Sequence, residues 1–135
     1  MYNKKRGNDN MNLFEFKGLI DGKPMHIASV NKENNPNLAV ASDVKVIDND
    51  KIIISVNEMV NTQNNIQYNP NVVLTVFDED YKGLRMFGKA KFYESGEYYD
   101  ICEKTFFSNG EVSPFGATKP KGAIVITISN VAEYV

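Results

Sequence analysis

The chain has 135 residues, 42% hydrophobic and 24% charged, and a formal net charge of -2 from 15 basic and 17 acidic residues. That is enough for one domain with one core and too little for two, and the interspersed, slightly acidic charge leaves no footprint for a nucleic-acid backbone or an anionic membrane surface. One Cys and one His exclude an intrachain disulfide framework and a zinc site with the usual four nitrogen and sulfur ligands.

No apolar run approaches the roughly 20 residues of a membrane-spanning helix, and the opening residues lack the apolar centre of a signal peptide, so the expected compartment is the cytoplasm. Residues 1–10, MYNKKRGNDN, are polar and read as a flexible tail ahead of a single domain over 11–135. Met11 to Ile20 carries Leu13, Phe14, Phe16, Leu19 and Ile20, a pattern that fits a short amphipathic helix or an edge strand. Asp21-Gly22-Lys23-Pro24 is a turn, and MHIASV (25–30) is a strand. KENNP (32–36) turns the chain into a longer strand over Asn37 to Ile47, whose later half alternates Val44 and Val46 with Asp43 and Lys45. Asp48-Asn49-Asp50 turns it again, so the simplest topology here is a three-stranded meander.

The stretch from Ile52 to Phe77 is the centre of the reading. Ile52, Ile53 and Ile54 form a continuous β-branched run, and Val72 to Phe77 repeat it after a polar interval, so two buried strands bracket a loop. Between them Asn61 or Thr62 can cap a helix of about two turns, stopped at Asn69-Pro70-Asn71. A helix start presents unpaired N–H groups and the positive end of the peptide dipoles, a place for a phosphate. The same two residues would equally serve only to cap a connecting helix.

After the loop Asp78 to Gly83 comes a strand, LRMFGKAKFY (84–93). Its Gly88 marks a bulge, a barrel corner or a close backbone approach. Asp78, Glu79 and Asp80 lack the spacing of a calcium loop and read as a solvated turn. EYYDICEKTFF (97–107) has helical spacing. Its Cys102 is a buried structural thiol on this pattern, and its Tyr and Phe residues pack the helix rather than stack bases. Residues 108–122 are the longest stretch without regular pattern, and AIVITI (123–128) is a buried strand that residues 131–135 can continue. His26 has no Asp, Ser or Cys partner in reach of the pattern and is read as a surface or satisfied core residue. Six strands with few helices predict a mainly β, six-stranded antiparallel barrel, since a parallel sheet would need long alternating helices.

The ordered set HIASVNKENNPNLAV, SDVKVIDNDKIIISV, MVNTQNNIQYNPNVVLTV, RMFGKAKFY and AIVITI resembles the FMN-binding split-barrel family that includes pyridoxamine 5′-phosphate oxidase and the small bacterial FMN-binding proteins. The resemblance implies a homodimer with FMN in grooves between subunits, and an oxidoreductase or flavin electron carrier in which the cofactor does the chemistry. It carries the phosphate site onto Asn61 and Thr62, where Asn61 stands in place of a basic residue. The isoalloxazine ring falls against Val40, Ala41 and Ser42 and against Ser55, Val56 and Asn57. Phe107, Phe115 and Lys119 are the residues through which the long loop would cover the ring from the other subunit. Only Arg6 and Arg85 are arginines, too few for the two-phosphate site of pyridoxamine 5′-phosphate oxidase itself. The alternative is a dimeric split barrel without flavin chemistry that binds haem, a deazaflavin or another small phosphorylated ligand.

Overall fold

The structure, a computed structural model, describes residues 3–6 as backbone and residues 11–108, 110, 116 and 118–134 in full. The elements in chain order are β1 (Asn3–Arg6), a 3-10 turn (Leu13–Phe16), α1 (Lys17–Ile20), β2 (Met25–Val30), β3 (Pro36–Ala41), β4 (Val44–Asp48), β5 (Lys51–Val56), α2 (Val60–Tyr68), β6 (Asn71–Phe77), β7 (Gly83–Tyr93), α3 (Glu97–Phe107) and β8 (Gly122–Tyr134). All strand pairs are antiparallel, in the order β3-β2-β6-β7-β8-β5-β4, with β1 beside the C-terminal half of β8.

That order corrects the meander. The run read as one strand over 37–47 is interrupted at Ser42 and Asp43, so β3 pairs with β2 at one edge of the sheet and β4 pairs with β5 at the other. Only two residues join the two edges, so the sheet must curl until they meet, which makes it a barrel. Splitting that run and adding β1 turns six expected strands into eight. Residues 3–6 of the expected flexible tail are a strand paired with 131–134. Residues 13–20 are helical: the Asn12 side chain caps the 3-10 turn by accepting from Phe14 N–H, and Leu13, Phe16 and Ile20 are buried.

Alternation decides which side chains enter the barrel. Ile27, Ile52, Leu74, Met86 and Ile126 all point inward and are fully buried, each contributing about 1.5–3 kcal/mol relative to exposure. The opposite faces of β5 and β8 are covered by α3, where Cys102 packs against Ile53, Ala123 and Val125. The single cysteine is thus core, and α3 is the helix its 3.6-residue spacing indicates. The glycine of β7 sits at a register shift between Phe87 and Gly88, and a Cβ on Gly88 would lie 2.5 Å from the Thr127 carbonyl oxygen. Its role is close backbone approach at a bulge.

Two predictions follow from this packing. Gly88→Ala forces β7 and β8 apart and should destabilise the protein by about 1–3 kcal/mol in urea titration. Burial first, and the charge of Asp43 second, push the Cys102 thiol up to about 12. The unfolded thiol ionises at its ordinary value of 9.0. The stabilising contribution of this group is therefore complete below that pH and is lost as pH rises toward 12, at up to about 1.4 kcal/mol per pH unit. Urea midpoints between pH 8 and 10 should show this slope in the wild type and a shallower one in Cys102→Ala. The native thiol should also resist disulfide reagents until the protein unfolds.

Candidate functional site

The bend between the two sheet edges gathers polar groups. The Asp43 backbone carbonyl accepts from Ser55 N–H at 2.9 Å. Its carboxylate accepts from Asn57 Nδ2 at 3.2 Å, and Asn57 Oδ1 accepts from the Ser55 hydroxyl at 3.2 Å. Ser42, on the same bend, is exposed, and Asn57 is half-buried. The end of the long loop is tied to this place: Lys121 N–H donates to the Val56 carbonyl at 2.8 Å, and the Tyr99 hydroxyl donates to the Pro120 carbonyl at 2.9 Å.

Three residues beyond Asn57 the chain enters α2. Met59 is its N-cap and offers no capping side chain, which corrects the expectation that Asn61 or Thr62 caps the helix. They occupy its first turn instead. Val60 N–H is bonded to the Glu58 carbonyl, and the first helical bond runs from Gln63 N–H to the Met59 carbonyl. The N–H groups of Asn61 and Thr62 therefore have no helical acceptor. Asn61 is exposed. Thr62 is buried, and its hydroxyl accepts from Asn37 Nδ2 on β3 at 3.3 Å. One turn later Asn65 Nδ2 donates to the buried Ser29 hydroxyl on β2 at 3.1 Å. These two bonds hold α2 against β3 and β2.

The eight residues assigned from sequence thus divide. Ser42, Asn57 and Asn61 present polar side chains along the bend and the helix start, whereas Ser55 and Thr62 are buried with their hydroxyls bonded to Asn57 and Asn37. Val40 is 58% exposed on the outer face of β3, next to a buried Ala41, so the two side chains point to opposite faces. Val56 has its side chain in the barrel core and its carbonyl bonded to Lys121. Ala41 and Val56 could meet a ligand only through backbone. Phe107, the last residue of α3, is 8% exposed within its own subunit. Lys119 is exposed two residues before the Lys121 anchor, and Phe115 lies outside the described residues. Asp43 and Asn37 were missed. Their signal was the polar pair Ser42-Asp43 inside an apolar strand run, which marks a bend when the run continues beyond it.

Chemically, the arrangement offers unpaired amide donors at the start of a nine-residue helix and, along the bend, a cluster of hydroxyl and amide groups with a carboxylate. The first suits a phosphate and the second the hydrogen-bonding edge of a heteroaromatic ring. Among the described residues neither network includes a lysine or arginine side chain, and the donors they offer are neutral amides and hydroxyls together with the helix dipole.

The fold recurs in solved structures. HupZ of Group A Streptococcus aligns at a TM-score of 0.75 with 24% identity over 87% of this chain and 90% of that one. An FMN-binding protein from Syntrophomonas wolfei aligns at 0.69 with 21% identity over 82% of this chain and 76% of that one. At these identities the likeness is one of fold. An uncharacterized protein of Methanocaldococcus jannaschii is 33% identical over 114 residues, covering 83% of this chain and 73% of the relative. Residues 15–133 match the family model described as pyridoxamine 5′-phosphate oxidase, and with nearly the whole split barrel inside that match the chain belongs to this family.

Proposed function

We propose that the protein is an FMN-binding flavoprotein that acts as a homodimer, as an oxidoreductase or a flavin electron carrier. The observation that carries the reading is the pairing of the open α2 start at Asn61 and Thr62 with the Ser42–Asp43–Ser55–Asn57 cluster, in a chain of this family. In it, the N–H groups of Asn61 and Thr62 hold the phosphate, and Ser42, Ser55 and Asn57 meet the polar edge of the ring. Asp43 keeps Asn57 in place. When bound, the flavin supplies the hydride or electron chemistry; the protein binds, orients and shields it.

Support for the homodimer comes from an uncovered stripe. Through the pairing register, Leu38, Ala28, Val73 and Phe87 lie side by side across β3, β2, β6 and β7 on the outer face. Leu38 is 67% exposed and Val40, next along the same face, 58%. Apolar side chains aligned over four strands with no helix above them among the described residues fit burial against another sheet.

Purified protein should absorb near the flavin maxima and release a pigment with the mass of FMN. Protein that stays colourless and takes up no added FMN would overturn the reading. Thr62→Ala removes the hydroxyl that ties α2 to Asn37 and should weaken FMN binding about tenfold, whereas Asn61→Lys adds a charged hydrogen bond of about 1.5–3 kcal/mol and should tighten it tenfold or more. Flavin fluorescence titration measures both. Leu38→Asp should turn a dimer into a monomer in light scattering, with FMN lost in the same variant; a wild-type monomer would remove the dimeric site.

A further inference from the structure

A second groove lies at the other end of α2. It holds about 580 Å³ between the C-terminal end of α2 at Ile66 and Gln67 and the start of α3 at Tyr98, and strands β5, β8 and β7 form its floor. Thr62 and Gln67 are five residues apart, about 7.5 Å along the helix, so this groove is separate from the α2 start.

The pairing register sets out the floor. Lys89 is opposite Thr127, and Thr127 is opposite Lys51, so a threonine hydroxyl stands between two lysines, each one strand away, about 5 Å. Lys91 follows on the same face of β7, about 7 Å from Lys89. Three lysines line the groove, and no carboxylate does. Lys51 is paired with Asp50 at 3.0 Å, and the Lys91 ammonium sits 5.4 Å from the Tyr93 ring centroid. Among the described residues neither Lys89 nor Lys91 has an ion pair. In a chain with 17 acidic residues, two adjacent unpaired cations on one sheet face carry a repulsive cost. Walls formed by two helices concentrate their field.

We propose that this groove binds a small diphosphate-bearing ligand. Lys89 and Lys91 act as point-charge donors to it, and the Thr127 hydroxyl donates from the floor. The Cα atoms of Lys89 and Lys91 lie about 7 Å apart along β7, a span from which two flexible ammonium groups reach two linked phosphoryl groups better than one. The site stands independently of the flavin reading, because it shares no residue with the Asn61–Thr62 corner.

The test is an amide-resolved NMR titration of the full chain, pre-incubated with excess FMN, using inorganic pyrophosphate as the probe at low salt. Saturable shifts should centre on Lys51, Lys89, Lys91 and Thr127. The double variant Lys89→Gln/Lys91→Gln, which changes two exposed side chains, should keep the wild-type spectrum elsewhere and bind at least tenfold more weakly. Raising the salt should weaken wild-type binding. Orthophosphate should bind more weakly than pyrophosphate. The proposal fails if no saturable shifts occur, if they gather at Asn61 and Thr62, if the double variant binds equally well, or if orthophosphate binds as tightly as pyrophosphate. Loss of FMN binding with the pyrophosphate response intact would overturn the flavin reading and leave this site standing.

Discussion

The structure depends on the two-residue bend at Ser42 and Asp43. One continuous run of chain supplies both edges of the sheet, β3 and β4, so the bend closes the barrel and removes most of the exposed edge that so β-rich a chain would otherwise present. The Asp43 carbonyl joins the bend to β5 through Ser55 N–H, and Gly22 N–H reaches the Val44 carbonyl just beyond it. The chain can pass from one edge of the sheet to the other here because neither residue is needed in the core: Ser42 is exposed and Asp43 half-buried. The polar groups freed from ladder pairing at such a corner are available to a ligand, and they lie beside the end of β5 and the approach to α2.

Much of this was legible in the sequence, and the failures share a cause. The strand at MHIASV, the triple isoleucine, the glycine bulge, the amphipathic α3 and the buried final strand are local features, and each is carried by periodicity within about ten residues. The bend was not legible in that way. Alternation of Val44 and Val46 with Asp43 and Lys45 continues the phase of the preceding residues, so a window sees one strand, and only the choice of partners tells that there are two. The strand at residues 3–6 was missed for the same reason. Its composition is that of a tail, and it is ordered by pairing with 131–134, about 130 residues away in sequence. The first turn of α2 failed by two residues, because Met59 caps it without a side-chain bond and so leaves no compositional mark.

Of the candidate site, residue types were readable and orientation was not. Alternating exposure along β3 sends Leu38 and Val40 outward and Ala41 inward, so neighbouring residues assigned to one ring face fall on two different surfaces. Likewise Ser55 lies on the α3 side of β5 while Val56 enters the barrel core. A strand of small residues announces that a flat group can approach, but the period of two decides from which side.

On the proposed reading, that same alternation would make β3 the joint between ligand and partner. Asn37 holds Thr62 at the start of α2, the Ala41 end leads into the Ser42–Asp43 corner, and between them Leu38 and Val40 stand on the outer apolar stripe. A dimer that buries Leu38 and Val40 would fix the edge strand from outside. Asn37 and the Ser42–Asp43 corner would then be held at a set separation. A phosphate bound by neutral donors at the helix start would gain little from charge, and pre-organisation of the donors would be the larger share of its affinity. On that reading association and cofactor binding would be linked through one strand: whatever stiffens β3 would lower the ordering cost of both, and the two free energies would add in the same direction.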